Sequence, residues 1–183
     1  MIIWLTWRIA AGKWVVAEYM KEKWFEYFTV SQMVREEAAK RWVEITRYNL
    51  QTIGNEIRAE FWLWAWMKRI LERMQPDKNY LIDGIRNPWE VLELQKTKDF
   101  YLFSIDADQE LRFERVLSRS KESDPKTREK FLEIDNRDFG IWEPQDGQQV
   151  GKCMEMANFH IQNNGDLEEY IHQINTSFNS IKA

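Results

Sequence analysis

Gly12 and Lys13 close the stretch "TWRIAAGKWVV", which runs from Thr6 to Val16. An apolar strand pattern precedes the pair and a helical pattern follows it. That is the frame of a phosphate-binding loop, G-x-x-x-x-G-K-[ST]. In such a loop, strand, tight turn and helix start converge backbone N–H groups on phosphates, and the lysine offsets their charge. Trp7 stands where the first glycine belongs, and Trp14 and Val15 stand where a hydroxyl would help hold Mg²⁺. Taken alone, the stretch reads equally well as a plain strand-to-helix turn.

Other residues could work on the same chemistry. Asp83-Gly84 and Arg86 fall in "YLIDGIRNP", and Arg35 falls in "TVSQMVREEA". Arg115 and Arg119 are four apart in "SIDADQELRFERVLSRS", a spacing that puts both guanidiniums on one helix face. From Arg112 to Lys130, seven basic residues stand against four acidic ones, in a chain whose net charge is -4. Phosphoryl transfer is mainly positioning plus stabilisation of charge by Arg, Lys and Mg²⁺, so this mixture suits it. Each piece also has an ordinary reading. The basic segment could be a solvated helix with i,i+4 pairs, Arg35 and Arg86 surface ion pairs, and Asp83 a turn cap.

The elements that must position these residues alternate. Apolar strands are expected at Ile2–Leu5, Phe25–Phe28, Tyr80–Ile82, Phe100–Ile105 and Phe159–Gln162. Helical faces lie between them: Leu50, Ile53, Ile57 and Phe61; then Met67, Ile70, Leu71 and Met74; then Leu167, Ile171, Ile174, Phe178 and Ile181. Asp166 with Glu169 gives the last helix a capping-box-like start, and Asp124-Pro125 reads as another helix start. Ser118–Lys130 is polar and Asn136–Gly151 is loop-like. Alternating β and α predicts a single doubly wound α/β domain over residues 1–183, with a five-stranded parallel sheet covered on both faces.

Composition narrows the class. The chain has 183 residues, enough for one full core, with 44% hydrophobic and 31% charged residues. The net charge gives no reason to expect nucleic acid, and no apolar run reaches the roughly 18 residues of a membrane span. The N-terminus reads as a strand without a basic leader, and Cys153 is alone, so neither an export signal nor a disulfide is expected and the expected compartment is cytoplasmic.

Tryptophan breaks the ordinary pattern: there are 10 Trp and 7 Gly, where average usage would give roughly 13 Gly. Trp24 and Trp42 follow helical patterns at positions where a left-handed glycine is favoured. Trp62 and Trp64 flank a break between helices, Trp89 follows Asn87-Pro88, and Trp142 sits beside Gly140. With Trp7 and Trp14 these make eight tryptophans at punctuation sites. At about 1–2 kcal/mol for each left-handed site, they would together rival a domain's stability of about 5–15 kcal/mol. One account is a UGA codon meant as glycine and written as tryptophan, which would restore "GRIAAGKGVV" at the loop. Deliberate filling of a pocket is the competing account.

Over nearly its whole length the chain resembles the P-loop nucleoside monophosphate kinase and dephospho-CoA kinase group, the adenylate-kinase-like branch. The most specific piece is "YLIDGIRNP"; "FHIQNNGDLEEYI" resembles the last strand, turn and helix of dephospho-CoA kinases. The resemblance implies an ATP-dependent phosphotransferase with Mg²⁺, acting on a small nucleotide-like acceptor. It implies that Arg8, Ala11, Gly12, Lys13, Trp14 and Val15 hold the donor phosphates, and that Asp83 organises the metal. It places Arg35 and Arg86, with Arg128 and Arg137, on substrate, and Arg115 and Arg119 beside Lys13 and Asp83 in catalysis. Residues 31–74 become acceptor-binding helices and 118–151 a lid-like segment; a monomer or small homo-oligomer is expected. A kinase-shaped binding protein, its donor loop blocked by Trp7 and Trp14, is the alternative. A GTP-dependent switch lacks its guanine-reading N-K-x-D stretch.

Overall fold

The computed structural model describes residues 1–61, 65–119 and 124–182. Five strands form one parallel sheet: β1 (Ile2–Trp7), β2 (Phe25–Thr29), β3 (Asn79–Asp83), β4 (Phe100–Asp106) and β5 (Phe159–Gln162), in the order β2-β3-β1-β4-β5. Among the described residues the helices are α1 (Lys13–Glu22), α2 (Val30–Lys40), α3 (Arg47–Phe61), α4 (Ala65–Leu71), α5 (Pro88–Leu94), α6 (Gln109–Arg119), α7 (Arg128–Phe139), α8 (Val150–Glu155) and α9 (Leu167–Lys182). None is long and apolar enough to cross a membrane.

The strand period of two sorts side chains between two cores. Trp4, Tyr80, Ile82 and Leu102 pack with α2, α3, α4 and α5. Ile3, Leu5, Trp7, Leu81, Phe103 and Ile105 pack against α1 and α9 through Val16, Met20, Tyr170, Ile174 and Phe178. Both faces are covered, so the strands read as nearly continuous apolar runs. β1 is central, with Leu5 beside Asp83 on one side and Phe103 on the other. From β1 the chain crosses to the edge strand β2, returns through β3 beside β1, and then passes to β4 and β5 on the other side. That puts the crevice for ligands beyond the C-terminal ends of the strands.

All five expected strands form, most of them one or two residues longer than read. Asp166 accepts a hydrogen bond from the Glu169 N–H at 2.9 Å, the expected start of α9. Three expectations need correction. Asp124-Pro125 does not start a helix: Thr127 caps α7, accepting from the Lys130 N–H at 3.2 Å, while Asp124 takes Arg119. Asn136–Gly151 is loop only in its middle, because α7 continues to Phe139 and α8 begins at Val150. Trp89 is not at a turn. Asn87 and Glu90 make a reciprocal capping box with Pro88 at the first helical position, and Trp89 is thereby inside α5. The break expected around Trp62 and Trp64, like Lys121, lies outside the described residues.

Candidate active site

β1 delivers the loop Arg8–Gly12 at its C-terminal end. Ala10 and Gly12 both take left-handed backbone, with φ of 59° and 102°. A Cβ at Gly12 would also collide with the Asn163 side-chain amide, so glycine is required there twice over. Protein donors fix the loop from behind. Asn163 Nδ2 donates to the Ala11 carbonyl at 2.9 Å, and the Tyr170 hydroxyl to the Gly12 carbonyl at 3.2 Å. Buried Arg112 donates to the Ile9 carbonyl at 3.4 Å and to Asp135 at 2.7 Å. Gly12 caps α1 without a side chain; the Val15 N–H donates to the Gly12 carbonyl at 3.1 Å, and the positive end of the helix with the N–H groups of Lys13 and Trp14 faces an incoming anion.

Lys13 Nζ pairs with Asp83, which ends β3, and Tyr27 from β2 donates its hydroxyl to the same carboxylate oxygen. The other oxygen, Asp83 Oδ1, is buried with no partner among the described residues. Burial pulls the Lys13 ammonium below its usual value, with Asp83 opposing the shift; burial and Asp83 push the Tyr27 phenol up. Lys13 Nζ lies 4.2 Å from the centre of the Trp7 ring, and the Arg86 guanidinium lies 5.1 Å from it. Trp7 therefore stands where the two cations meet. Trp14 does not. It is 58% exposed and turns edge-on to Tyr27, at 6.1 Å between centroids. The Val15 side chain, on the first turn of α1, is partly buried against the core.

Beside Arg86 opens a pocket lined by Arg35, Arg47, Gln51, Arg58 and Gln148, with Gly54 leaving space next to Arg58. Four guanidiniums line it. Two carboxylates answer them: Asp138 pairs with Arg47 and Arg86, and Glu90 holds Arg58 Nε at 2.8 Å. Arg58 is buried to 2% exposure, and among the described residues its Nη1 has no partner; neither has the buried Arg47 Nε. Unsatisfied guanidinium nitrogens around a pocket are costly unless an acceptor reaches them. Desolvation lowers the Arg86 value, with Asp138 opposing it.

The arginines named from sequence separate into groups. Arg35 and Arg86 both line the pocket. Arg115 reaches the Asn163 carbonyl at 2.9 Å, behind the loop, and its Nη1 is buried without a partner among the described residues. Arg119 is held by Asp124, and Arg128 by Glu110 at the exposed start of α6, so these two do not reach the pocket lining. Arg137 lies between Glu143 and Gln51, one side chain behind the pocket. The guanidinium of Arg8 is turned to Asp135 and to the Phe139 ring at 4.2 Å, so only its backbone shapes the loop. Sequence reading missed Arg47, Arg58, Asp135, Asp138 and Asn163. The "DNRD" stretch of α7 carries the two aspartates, but nothing in its pattern says that both are buried.

Comparison with known proteins agrees with this architecture. No family model matches the chain. A UPF0200 protein of Pyrococcus furiosus is 30% identical over 152 residues, covering 78% of this chain and 82% of the relative. This chain belongs to the UPF0200 family. A UPF0200/UPF0201 protein of Archaeoglobus fulgidus is 32% identical over 170 residues, 90% of this chain, which spans about half the length of that relative. Among solved structures, shikimate kinase from Bacteroides thetaiotaomicron superposes with a TM-score of 0.60 at 10% identity, covering 100% of this chain and 99% of the other. Dephospho-CoA kinase from Campylobacter jejuni gives 0.52 at 17% identity, covering 98% and 96%. The UPF0200 chain thus has the P-loop kinase fold.

Proposed function

We propose that this UPF0200 chain transfers the γ-phosphoryl group of ATP to a small acceptor bearing an anionic group, a nucleoside monophosphate or dephospho-CoA. The observation that carries the reading is the meeting of Lys13 and Arg86 on one spot, the Trp7 ring, with the donor loop on one side and the arginine pocket on the other. Four guanidiniums against two carboxylates leave the pocket with an excess of positive charge that matches a phosphate monoester.

The residues fit the donor. Backbone from Arg8 to Lys13 and the uncapped start of α1 would cradle its phosphates, and Lys13 would offset their charge. Mg²⁺ prefers a carboxylate plus substrate phosphates to an all-protein cage, and the unpartnered Asp83 Oδ1 would supply that carboxylate oxygen. When bound, the metal neutralises charge on the phosphate oxygens. The acceptor oxygen bonds to the γ-phosphorus as the bond from that phosphorus to the bridging oxygen breaks, ADP leaves, and a hydroxyl acceptor releases its proton to solvent. Arg35, Arg47, Arg58 and Arg86 would hold the acceptor, Arg115 would neutralise charge beside the loop, and the 118–151 segment would cover the site. Arg119, Arg128 and Arg137 would take part only if that segment moves.

Incubation with γ-labelled ATP, Mg²⁺ and a panel of acceptors tests the proposal. Acceptor-dependent transfer of label that Lys13→Ala abolishes supports it; transfer indifferent to Lys13→Ala overturns it. A second reading rests on Trp7: its ring against Lys13 makes the chain a kinase-shaped protein with a closed donor loop. In that case added Mg-ATP leaves tryptophan fluorescence unchanged.

A further inference from the structure

Three exposed tryptophans occupy left-handed backbone. Trp24 has φ 65°, Trp42 56° and Trp142 63°. Tryptophan is 10 of 183 residues, yet it supplies three of the five non-glycine residues with positive φ among the described residues. A bulky residue there is a conformational outlier unless its side chain gains something in return. These rings gain nothing from burial, being 90%, 96% and 91% exposed.

The helix ends show what belongs there. After α2, the Trp42 N–H donates to the Ala39 carbonyl at 3.2 Å and the Val43 N–H to the Ala38 carbonyl at 3.0 Å. After α7, the Gly140 N–H donates to the Arg137 carbonyl at 3.2 Å and the Ile141 N–H to the Asn136 carbonyl at 3.0 Å. The two are the same Schellman closure, with the left-handed position filled by Trp42 in one and by Gly140 (φ 103°) in the other. Trp24, two residues past the end of α1, closes that helix with its N–H on the Lys21 carbonyl at 3.0 Å. Pocket filling cannot account for Trp24 and Trp42, which follow the C-terminal ends of α1 and α2 with their rings in solvent.

We infer that positions 24, 42 and 142 are glycine in the protein its source cells make, and that positions 7 and 14 of the donor loop are glycine for the same reason. A UGA codon, read as tryptophan by some translation systems and as glycine by others, converts one into the other without any change of gene. In the glycine form the ring between Lys13 and Arg86 is absent, and the loop "GRIAAGKG" presents both cations to a nucleoside triphosphate. The helix-end argument stands on backbone geometry alone; its extension to the loop rests on the donor reading above.

Peptide mass spectrometry of the protein from its source, over residues 24, 42 and 142, is the direct test. Glycine masses are expected, and tryptophan masses overturn the inference. Recombinant protein gives an independent arm. The triple variant W24G/W42G/W142G should melt at least about 6 °C above the chain as written, because left-handed strain is relieved three times. W89G, a substitution inside helical backbone, should melt lower. A triple variant that melts no higher overturns the inference. For the loop, W7G/W14G should bind Mg-ATP more tightly than the chain with both tryptophans, a gain that titration calorimetry reads. Glycine masses at 24, 42 and 142 without that gain would leave the helix ends explained and sink the donor reading.

Discussion

Lys13 and Asp83, 70 residues apart in the chain, meet as an ion pair at the C-terminal ends of neighbouring strands. Asp83 is fully buried there, with Tyr27 on the same oxygen. Removing one partner of a buried pair leaves an uncompensated charge. Lys13→Ala should therefore cost about 3 kcal/mol in urea unfolding, and Lys13→Ala/Asp83→Ala should recover part of that loss. Full additivity of the two single losses would show the pair to be energetically silent.

Asp138 gives the acid limb its sign. Burial alone would raise its carboxyl, but Arg47 and Arg86 outweigh burial and hold it below the ordinary value of 3.8. A depressed carboxyl contributes stability that is fully present above its unfolded value and is lost as pH falls through the native one. The chain should lose stability as pH drops below about 4. Asp138→Asn should be less stable at neutral pH and show a flatter acid limb, which a melting series against pH reads out.

Glu90 carries three contacts at once: Arg58 Nε at 2.8 Å and the N–H groups of Arg86 and Asn87 at 2.9 and 3.1 Å. Glu90→Ala strands the buried Arg58 charge and removes the Glu90 half of the α5 capping box. A loss of about 3–5 kcal/mol is expected by denaturant titration. A loss under about 1 kcal/mol would mean that water reaches Arg58.

Gly12→Ala meets both backbone strain and the Asn163 amide. The cost should be about 2–5 kcal/mol. In a double-mutant cycle Asn163→Ala should return the steric part and not the strain, giving a coupling of about 1 kcal/mol or more. Zero coupling would place the Asn163 side chain elsewhere.

Arg47 and Arg58 line the arginine pocket and are not part of the donor loop. Arg47→Met should weaken binding of a phosphate monoester about tenfold or more while leaving Mg-ATP affinity within twofold. Isothermal titration with each ligand checks it, and equal losses for both would merge the two sites.

What the sequence by itself determined is local or periodic. Alternating apolar pairs in β1 and β4 place their side chains on two cores, because strand geometry has a period of two. The Gly12-Lys13 pair, Asp83-Gly84 and the tryptophans at helix ends were legible because they belong to short motifs whose backbone geometry is set within a few residues. What tertiary structure alone decided is pairing across distance. Arg47 meets Asp138 over 91 residues, and Arg8 meets Asp135 over 127. Arg119 and Arg128, alike in sequence to the pocket arginines, are instead taken by Asp124 and Glu110. A charged side chain has no periodic signature of its partner. Only the packing of α3 and α7 around the strand ends selects which guanidiniums are neutralised and which are left facing the pocket.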